Sequence, residues 1–371
     1  MRVIISAAGT GGHINPGIAI ANKIKEKDPK SEILFIGTNR GLENDLVPRA
    51  GYKLKTIDVY GLKKEFTLTN LKHMIQTVAS RKDVKKIFDE FKPDLVLGTG
   101  GYICGPVFSV AISRKIPTVL HESNAYPGKA VKMFSKKVDC ILVGFEDTKN
   151  KLDGCKKVVV TGTPTKVRKI DISNQRKKEI LGEIGIKNDL PIVLIFGGSQ
   201  GAQKINESVT ELIKLKKNED YQIIWATGPK QYDIVKENFE RENLYINNLK
   251  NVKVLPYIYN MEELINVSDL LVCRSGAMTI TEVSIVGKPA IFIPLPSVSA
   301  NRQEDNALVL KKIGAAKMIL NKDINGQILS EEIQDIIHDK FELEEMGKIA
   351  STIAPYNVEE KIYEEIIKIL K

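Results

Sequence analysis

The sequence predicts an α/β chain made of two doubly wound parallel-sheet domains. Three observations carry this. A glycine-rich turn follows an apolar strand-like run twice: Val3-Ile4-Ile5-Ser6 leads into Gly9-Thr10-Gly11-Gly12-His13, and Ile192-Val193-Leu194-Ile195-Phe196 leads into Gly197-Gly198-Ser199-Gln200-Gly201. Apolar runs alternate with helical stretches along the chain, the pattern of a parallel sheet covered on both faces. The chain has 371 residues, enough for two domains of ordinary size.

In the first series, strand-like runs lie near 2–7, 32–37, 53–58, 94–98, 117–121, 138–143 and 157–161. Helical stretches separate most of them. Thr161-Gly162-Thr163-Pro164 closes the series, and the charged segment from Lys166 to Leu190 reads as the crossing into a second unit. Strand-like runs restart near 191–196, 221–226, 251–255, 269–273, 289–293 and 316–320. The end of the chain, from about Pro355 to Lys371, reads as one amphipathic helix. The expected division is an N-terminal domain over 1–163, joined by the helix 355–371, and a C-terminal domain over 164–354.

Composition narrows the function. Hydrophobic residues make up 43% of the chain, so each half can bury a core. A net charge of +9 suggests an acidic partner, whether phosphorylated ligand, nucleic acid or anionic membrane. The four cysteines (Cys104, Cys140, Cys155 and Cys273) are scattered, which fits a reducing compartment and no structural zinc. The chain opens directly on a strand, so no signal peptide is expected. No apolar run is long enough to span a bilayer, so any membrane contact is expected to be peripheral.

The glycine-rich loops point to phosphate. Glycine lets the backbone turn tightly, and the first N–H groups of the following helix favour an anion. The details argue against several nucleotide chemistries. In a dinucleotide fingerprint the third glycine would stand where this chain has Ile14, and the strand Ile33–Ile36 ends in Gly37-Thr38 without an acidic residue for a ribose diol. The second loop lacks the Lys-Ser/Thr of a P-loop. His121-Glu122 runs into Ser123-Asn124, not a zinc-protease motif. Aromatic residues are only 6% of the chain and RNA-binding signatures are missing, so no nucleic-acid partner is expected.

Polar residues gather just beyond the strand ends, where a doubly wound sheet keeps its ligands. Leu95–Gly98 leads into Gly100-Gly101-Tyr102, and Pro117–Leu120 into His121-Glu122-Ser123-Asn124. Leu270–Cys273 leads into Arg274-Ser275-Gly276-Ala277-Met278-Thr279, with Glu282 about one turn further on. Ala290–Pro294 leads into a loop ending in Asn301-Arg302-Gln303-Glu304.

Taken in order, the motifs GTGGHxxPG, GGYxxGP, HExN, GGSQGA, CRSGAxT and the late glutamine-bearing loop resemble the MurG family. These are the undecaprenyldiphospho-muramoylpentapeptide β-N-acetylglucosaminyltransferases of glycosyltransferase family 28. The resemblance covers nearly the whole chain. It implies a GT-B fold, with two Rossmann-like domains facing a cleft. It implies transfer of N-acetylglucosamine from UDP-GlcNAc to the 4-hydroxyl of a lipid-linked muramoyl-pentapeptide in peptidoglycan synthesis. It further implies inversion at the anomeric carbon, no cofactor, no metal in the chemical step, and a peripheral place on the cytoplasmic face of the cell membrane.

The same resemblance implies site residues. Ser199 would meet the phosphate or ribose side of the nucleotide, and Ile258 would pack on uracil and offer its backbone to the base edge. Ala277, Met278 and Thr279 would cap the diphosphate, Glu282 would accept from the ribose hydroxyls, and Gln303 would read the sugar. Thr10, Gly11, Gly12 and Asn124 would complete the donor site. Lys166 stands where many members have arginine, and cannot give that residue's bidentate fork. Glu304 replaces a frequent glutamine and can only accept hydrogen bonds when ionised. Ser123 replaces the glutamine of HEQN.

For the base that takes the acceptor's proton, the candidates are His13, at the end of the first loop, since an unperturbed imidazole titrates near physiological pH, and Glu122, with His121 as support. Gly100, Gly101 and Tyr102, with Gly11 and Gly12, are the acceptor candidates. Between Gly61 and Lys92, Lys63, Lys64, Lys72, Arg81, Lys82, Lys85 and Lys86 interleave with Leu62, Phe66, Leu68, Leu71, Met74 and Ile75, a face suited to an anionic membrane surface. The competing classes are a UDP-GlcNAc 2-epimerase of the same architecture and a non-catalytic sugar-nucleotide binder.

Overall fold

The computed structural model describes residues 1–60, 76, 77, 79–186, 190–198, 200–296 and 302–371. The chain divides into two compact units. One comprises Met1–Thr165 with Pro355–Lys371, the other Lys166–Ala354.

The first unit carries a seven-stranded sheet of β1 (Arg2–Ser6), β2 (Glu32–Gly37), β3 (Lys53–Thr56), β4 (Leu95–Gly98), β5 (Thr118–Glu122), β6 (Cys140–Val143) and β7 (Val158–Val160). All neighbours are parallel, in the order β3-β2-β1-β4-β5-β6-β7. The central strands are apolar in their middle because both faces are covered. Alternate residues point to opposite faces, and the burial agrees. Val3, Ile5, Phe35, Leu97, Val119 and Leu142 pack with helix α1 (Gly11–Lys27). Ile4, Ile36, Val96, Leu120 and Ile141 pack on the other face with helices α3 (Arg81–Phe91) and α4 (Cys104–Ser113). Between β2 and β3 lies α2 (Glu43–Arg49).

The final helix returns to this unit. Val358, Ile362 and Ile366 of α15 (Val358–Leu370) join the α1 side of the core, and Glu360 pairs with Lys23 at 3.2 Å and Lys27 at 2.7 Å. After β5 and β6 come the short helices α5 (Lys129–Phe134) and α6 (Glu146–Lys149).

The second unit begins with α7 (Asn174–Glu183) and carries a six-stranded parallel sheet. Its strands are β8 (Ile192–Phe196), β9 (Gln222–Ala226), β10 (Val252–Leu255), β11 (Leu270–Cys273), β12 (Ala290–Phe292) and β13 (Ala316–Met318), in the order β10-β9-β8-β11-β12-β13. Helices α8 (Gln203–Lys214), α9 (Pro229–Glu240), α10 (Met261–Val267), α11 (Ala277–Val286), α12 (Arg302–Lys312), α13 (Gly326–Ile337) and α14 (Lys340–Thr352) connect and cover them. Trp225 is fully buried in the core of this unit.

The thirteen strands among the described residues match the expected runs, and the doubly wound parallel architecture is the one the sequence predicts. In each sheet the strand order reverses once: between β1 and β4 in the first unit, and between β8 and β11 in the second. Loops leaving such a pair diverge to opposite sides and open a crevice at the strand ends. The four motifs GTGGH, GGY, GGSQGA and CRSGA come directly after these four strands.

Gly61 and the residues Leu62 to Ile75 of the basic–apolar stretch lie outside the described residues. Arg81, Lys82, Lys85 and Lys86 are exposed on α3, while Val84, Ile87 and Phe88 on its other side are core. Among the described residues no helix is long and apolar enough to cross a membrane.

Candidate active site

In the first unit, Thr10 is the N-cap of α1 and Gly11, Gly12 and His13 form its first turn. The Thr10 side chain makes no capping bond, and the turn holds no acidic residue. The first turn therefore presents the helix's positive end with no acidic residue of its own. The Thr10 carbonyl accepts from the N–H of His13 (3.0 Å) and Ile14 (3.2 Å).

The neighbouring strand holds the histidine. Thr99, just past β4, accepts a hydrogen bond from His13 Nδ1 on its carbonyl at 2.9 Å. Its hydroxyl donates to the His13 carbonyl at 2.6 Å. A carbonyl oxygen only accepts, so the neutral ring carries its proton on Nδ1 and its lone pair on Nε2. Gly100 has φ +104°, and a Cβ there would lie 2.8 Å from the imidazole. The ring thus lies against the bare backbone of the GGY loop. Tyr102, in the same loop, is 39% exposed. The structure therefore brings His13, Gly100 and Gly101 together from two loops of one crevice.

His121 and Glu122 are consecutive in β5 and serve opposite faces. His121 is fully buried; its Nε2 donates to the Gly162 carbonyl at 3.0 Å, and its Nδ1 lies 3.3 Å from Ser123 Oγ. Burial holds its pKa below the ordinary value. Glu122 is 4% exposed. One carboxylate oxygen accepts from the Asn124 backbone (3.0 Å) and side chain (2.8 Å), and the other from the Gly128 N–H (2.6 Å). The carboxylate is thereby committed to shaping its own loop, and Asn124 is what it positions. Lys166 is exposed at the start of the second unit.

In the second unit, the loop after β8 meets the loop after β9 backbone to backbone. A Cβ on Gly201 would lie 2.0 Å from the Thr227 carbonyl oxygen, and one on Gly228 2.4 Å from the Gly201 nitrogen. Ser199 lies outside the described residues. The loop after β11 begins α11, with Gly276 as N-cap and Ala277 as first residue, again with no acidic residue in the first turn. Met278, Thr279 and Glu282 fall on the partly exposed side of α11, three and four residues apart. Ile258 is 5% exposed, so its side chain is largely buried in the unit. The adjoining Tyr257 and Tyr259 rings meet edge to face at 4.9 Å.

Gln303, in the first turn of α12, uses its Oε1 to accept from the Leu295 N–H at 2.9 Å. This leaves the amide NH2 as the donor end. A short network fixes this region. Ser275 donates to the Gln303 carbonyl (2.7 Å), Asn306 donates to the Ser275 carbonyl (3.1 Å), and Arg274 donates through one terminal nitrogen to the carbonyls of Ile293 (2.9 Å) and Pro294 (3.0 Å).

Arg274 is 8% exposed, its Nε has no hydrogen-bond partner, and no carboxylate pairs with it among the described residues. Burial pulls its pKa down to about 10. Thr99 does not stand out in the sequence, and Arg274 appears there as part of the CRSGA motif but with no role of its own. Both come immediately after a switch-point strand, and that position is the signal that could have found them.

Comparison with known proteins gives consistent results. The chain matches the Glycosyltransferase family 28 N-terminal domain over residues 3–143 and the Glycosyltransferase family 28 C-terminal domain over residues 192–362. A protein of Acetivibrio thermocellus called UDP-N-acetylglucosamine--N-acetylmuramyl-(pentapeptide) pyrophosphoryl-undecaprenol N-acetylglucosamine transferase is 44% identical over 373 residues, spanning 100% of this chain and 99% of that protein. A namesake from Thermoanaerobacter sp. (strain X514) is 40% identical over 366 residues, with 99% of each covered. Among solved structures, MurG of Acinetobacter baumannii is 27% identical with a TM-score of 0.75 over 99% of both chains. The UDP-GlcNAc 2-epimerase of Neisseria meningitidis shares the fold at 17% identity, with a TM-score of 0.66 over 99% of this chain and 100% of that one. With both family domains present in order and relatives of this identity spanning the full length, the chain belongs to glycosyltransferase family 28.

Proposed function

We propose that this chain transfers N-acetylglucosamine from UDP-GlcNAc to the 4-hydroxyl of a muramoyl-pentapeptide linked through diphosphate to undecaprenol, with inversion at the anomeric carbon. The observation that carries this reading is the His13 tautomer. With Nδ1 donating to Thr99, the lone pair sits on Nε2, the form a general base needs.

In the transfer, the acceptor oxygen attacks the anomeric carbon as its proton passes to His13 Nε2. The bond from that carbon to the diphosphate oxygen breaks, and UDP leaves with the electron pair. Charge builds on the leaving diphosphate. The N-terminus of α11, carrying Ala277, Met278 and Thr279 and no acidic residue, is suited to stabilise it. Arg274 behind it adds a buried positive charge that no protein carboxylate balances among the described residues.

Glu282 accepts from the ribose hydroxyls, the backbone at Ile258 meets the base edge, and the NH2 of Gln303 donates to the sugar. Ser199 and Lys166 are assigned to the nucleotide on the family resemblance. Gly100, Gly101 and Tyr102 contact the acceptor. Glu122 holds the Asn124 loop, so the base is His13.

The acceptor is lipid-anchored, so the protein works at the cytoplasmic face of the membrane, held peripherally by the basic stretch from Lys63 to Lys86. Reversing Lys63, Lys64 and Lys72 to Glu lowers binding to anionic liposomes and spares activity on a soluble acceptor analogue.

The test of the function supplies UDP-GlcNAc with and without the lipid-diphosphate-muramoyl acceptor. Disaccharide-lipid formed only with acceptor supports the reading. UDP-N-acetylmannosamine formed without acceptor makes the protein an epimerase, and binding without turnover makes it a sensor. His13→Ala lowers turnover far more than UDP affinity; equal losses in both remove the base role.

A further inference from the structure

Behind the first glycine-rich loop lies a buried acid that takes no part in the transfer chemistry. Glu43, the first residue of α2, is fully buried. One carboxylate oxygen accepts from the Thr38 N–H (2.8 Å) and the Thr38 hydroxyl (2.7 Å). The other accepts from the Gly9 N–H at 2.9 Å. No lysine, arginine or histidine pairs with it among the described residues. A buried carboxylate is costly unless hydrogen bonds compensate its charge. Here those bonds come from the loops that leave two adjacent strands, β1 and β2.

The surrounding sequence is cut to fit this side chain. A Cβ on Gly37 would lie 2.7 Å from Glu43 Cγ, and one on Gly41 2.0 Å from its Oε2. Two glycines thus clear the space, and two residues supply the donors. The Gly9 N–H points at this acid and so is spent inside the protein. The segment from Thr10 to His13 therefore starts from an anchored point.

We propose that Glu43 is a positioning residue for glycosyl transfer. It pins Gly9 and thereby sets where the first turn of α1 presents the amides of Gly11 and Gly12 and the imidazole of His13. Thr99 holds His13 from the other side. The inference rests on the reading of His13 as the base.

The test is a double-mutant cycle in full-length protein. Glu43→Gln keeps the size, but its amide nitrogen must face an N–H donor, so at least one pin is lost. Turnover is expected to fall about 10–100-fold, because small misplacements of a base cost that much. UDP binding, measured by calorimetry, stays within about twofold. In the His13→Ala background the same change costs less than about threefold, since its effect passes through His13.

Thr38→Val is a milder variant that keeps the carboxylate and removes one donor. It shows the same coupling at smaller size, and it carries the test if Glu43→Gln fails to fold. Equal losses with and without His13 make Glu43 purely structural and overturn the proposal. If His13→Ala itself leaves turnover intact, the base assignment fails instead. The two failures are therefore distinguishable.

Discussion

Thr99 and His13 exchange two hydrogen bonds across adjacent strand ends, 86 residues apart in sequence. The threonine carbonyl selects the imidazole tautomer, and the threonine hydroxyl ties down the histidine backbone. One residue thus sets both the protonation pattern and the placement of the ring. Thr99→Val removes only the hydroxyl's part. It leaves the Nδ1 bond, which a backbone carbonyl accepts. Turnover is expected to drop about 10-fold through loosened placement, with UDP affinity unchanged. Thr99→Ser restores the donor and most of the rate. Steady-state kinetics on the three proteins checks this, and a Val variant with normal turnover removes the Thr99 hydroxyl from the mechanism.

Arg274 makes a second, independent case. It donates to the carbonyls of Ile293 and Pro294, which begin the segment leading to Gln303. Lysine would keep a charge, but as a compact, strongly hydrated ammonium that tolerates this burial less well than a guanidinium does. Arg274→Lys is expected to raise the KM for UDP-GlcNAc about 10-fold, equivalent to about 1.4 kcal/mol, while the acceptor KM holds. Arg274→Met leaves both carbonyls without their donor, and costs about 1–3 kcal/mol of stability for each buried group left unmet. Donor titration and thermal melts separate the two effects. A Lys variant with the parent's donor affinity refutes the assignment.

The central strands were legible because burial on both faces makes them near-continuous apolar runs, as in Ile192–Phe196. The glycine loops were legible because turn chemistry is local. Long-range pairing was not. Nothing near His121 in sequence announces that its partner is Gly162, and nothing around Glu43 announces Gly9. His121-Glu122 looks like a unit when written in a line. In a strand, consecutive side chains face opposite ways, so the two residues have separate tasks. Ile258 is expected from the family resemblance to pack on uracil, and only the fold shows that its side chain is 5% exposed.

His121 gives a pH dependence of known sign. Its folded pKa lies below the ordinary 6.5 because burial disfavours the imidazolium. The unfolded chain therefore binds this proton more readily than the folded one. Its contribution to stability is complete above about pH 6.5 and is lost as pH falls below that value toward the folded pKa. The first unit is expected to melt at progressively lower temperature as pH falls below about 6.5. His121→Gln should be less stable above that pH but show a flatter dependence below it. Parallel slopes in the two proteins would mean that another group governs the transition.

The last prediction concerns the backbone contact that joins the loops after β8 and β9. Gly201 has φ +76°, and a Cβ there would lie 2.0 Å from the Thr227 carbonyl oxygen. That carbonyl is backbone and also accepts from Asn206 Nδ2 at 2.9 Å, while Asn206 Oδ1 accepts from Trp225 Nε1 at 3.0 Å. It cannot swing aside without disturbing the buried indole. Gly201→Ala therefore combines left-handed backbone strain with overpacking, together about 3 kcal/mol. For a unit of this size that corresponds to about 6–12 °C in Tm. Trp225 is the single tryptophan of the chain, so its emission reports unfolding of the second unit alone. The loss is expected in the tryptophan signal together with weakened UDP binding. An alanine variant that melts with the parent at this wavelength would show that the two loops can part, and would remove their contact as the support of the nucleotide site.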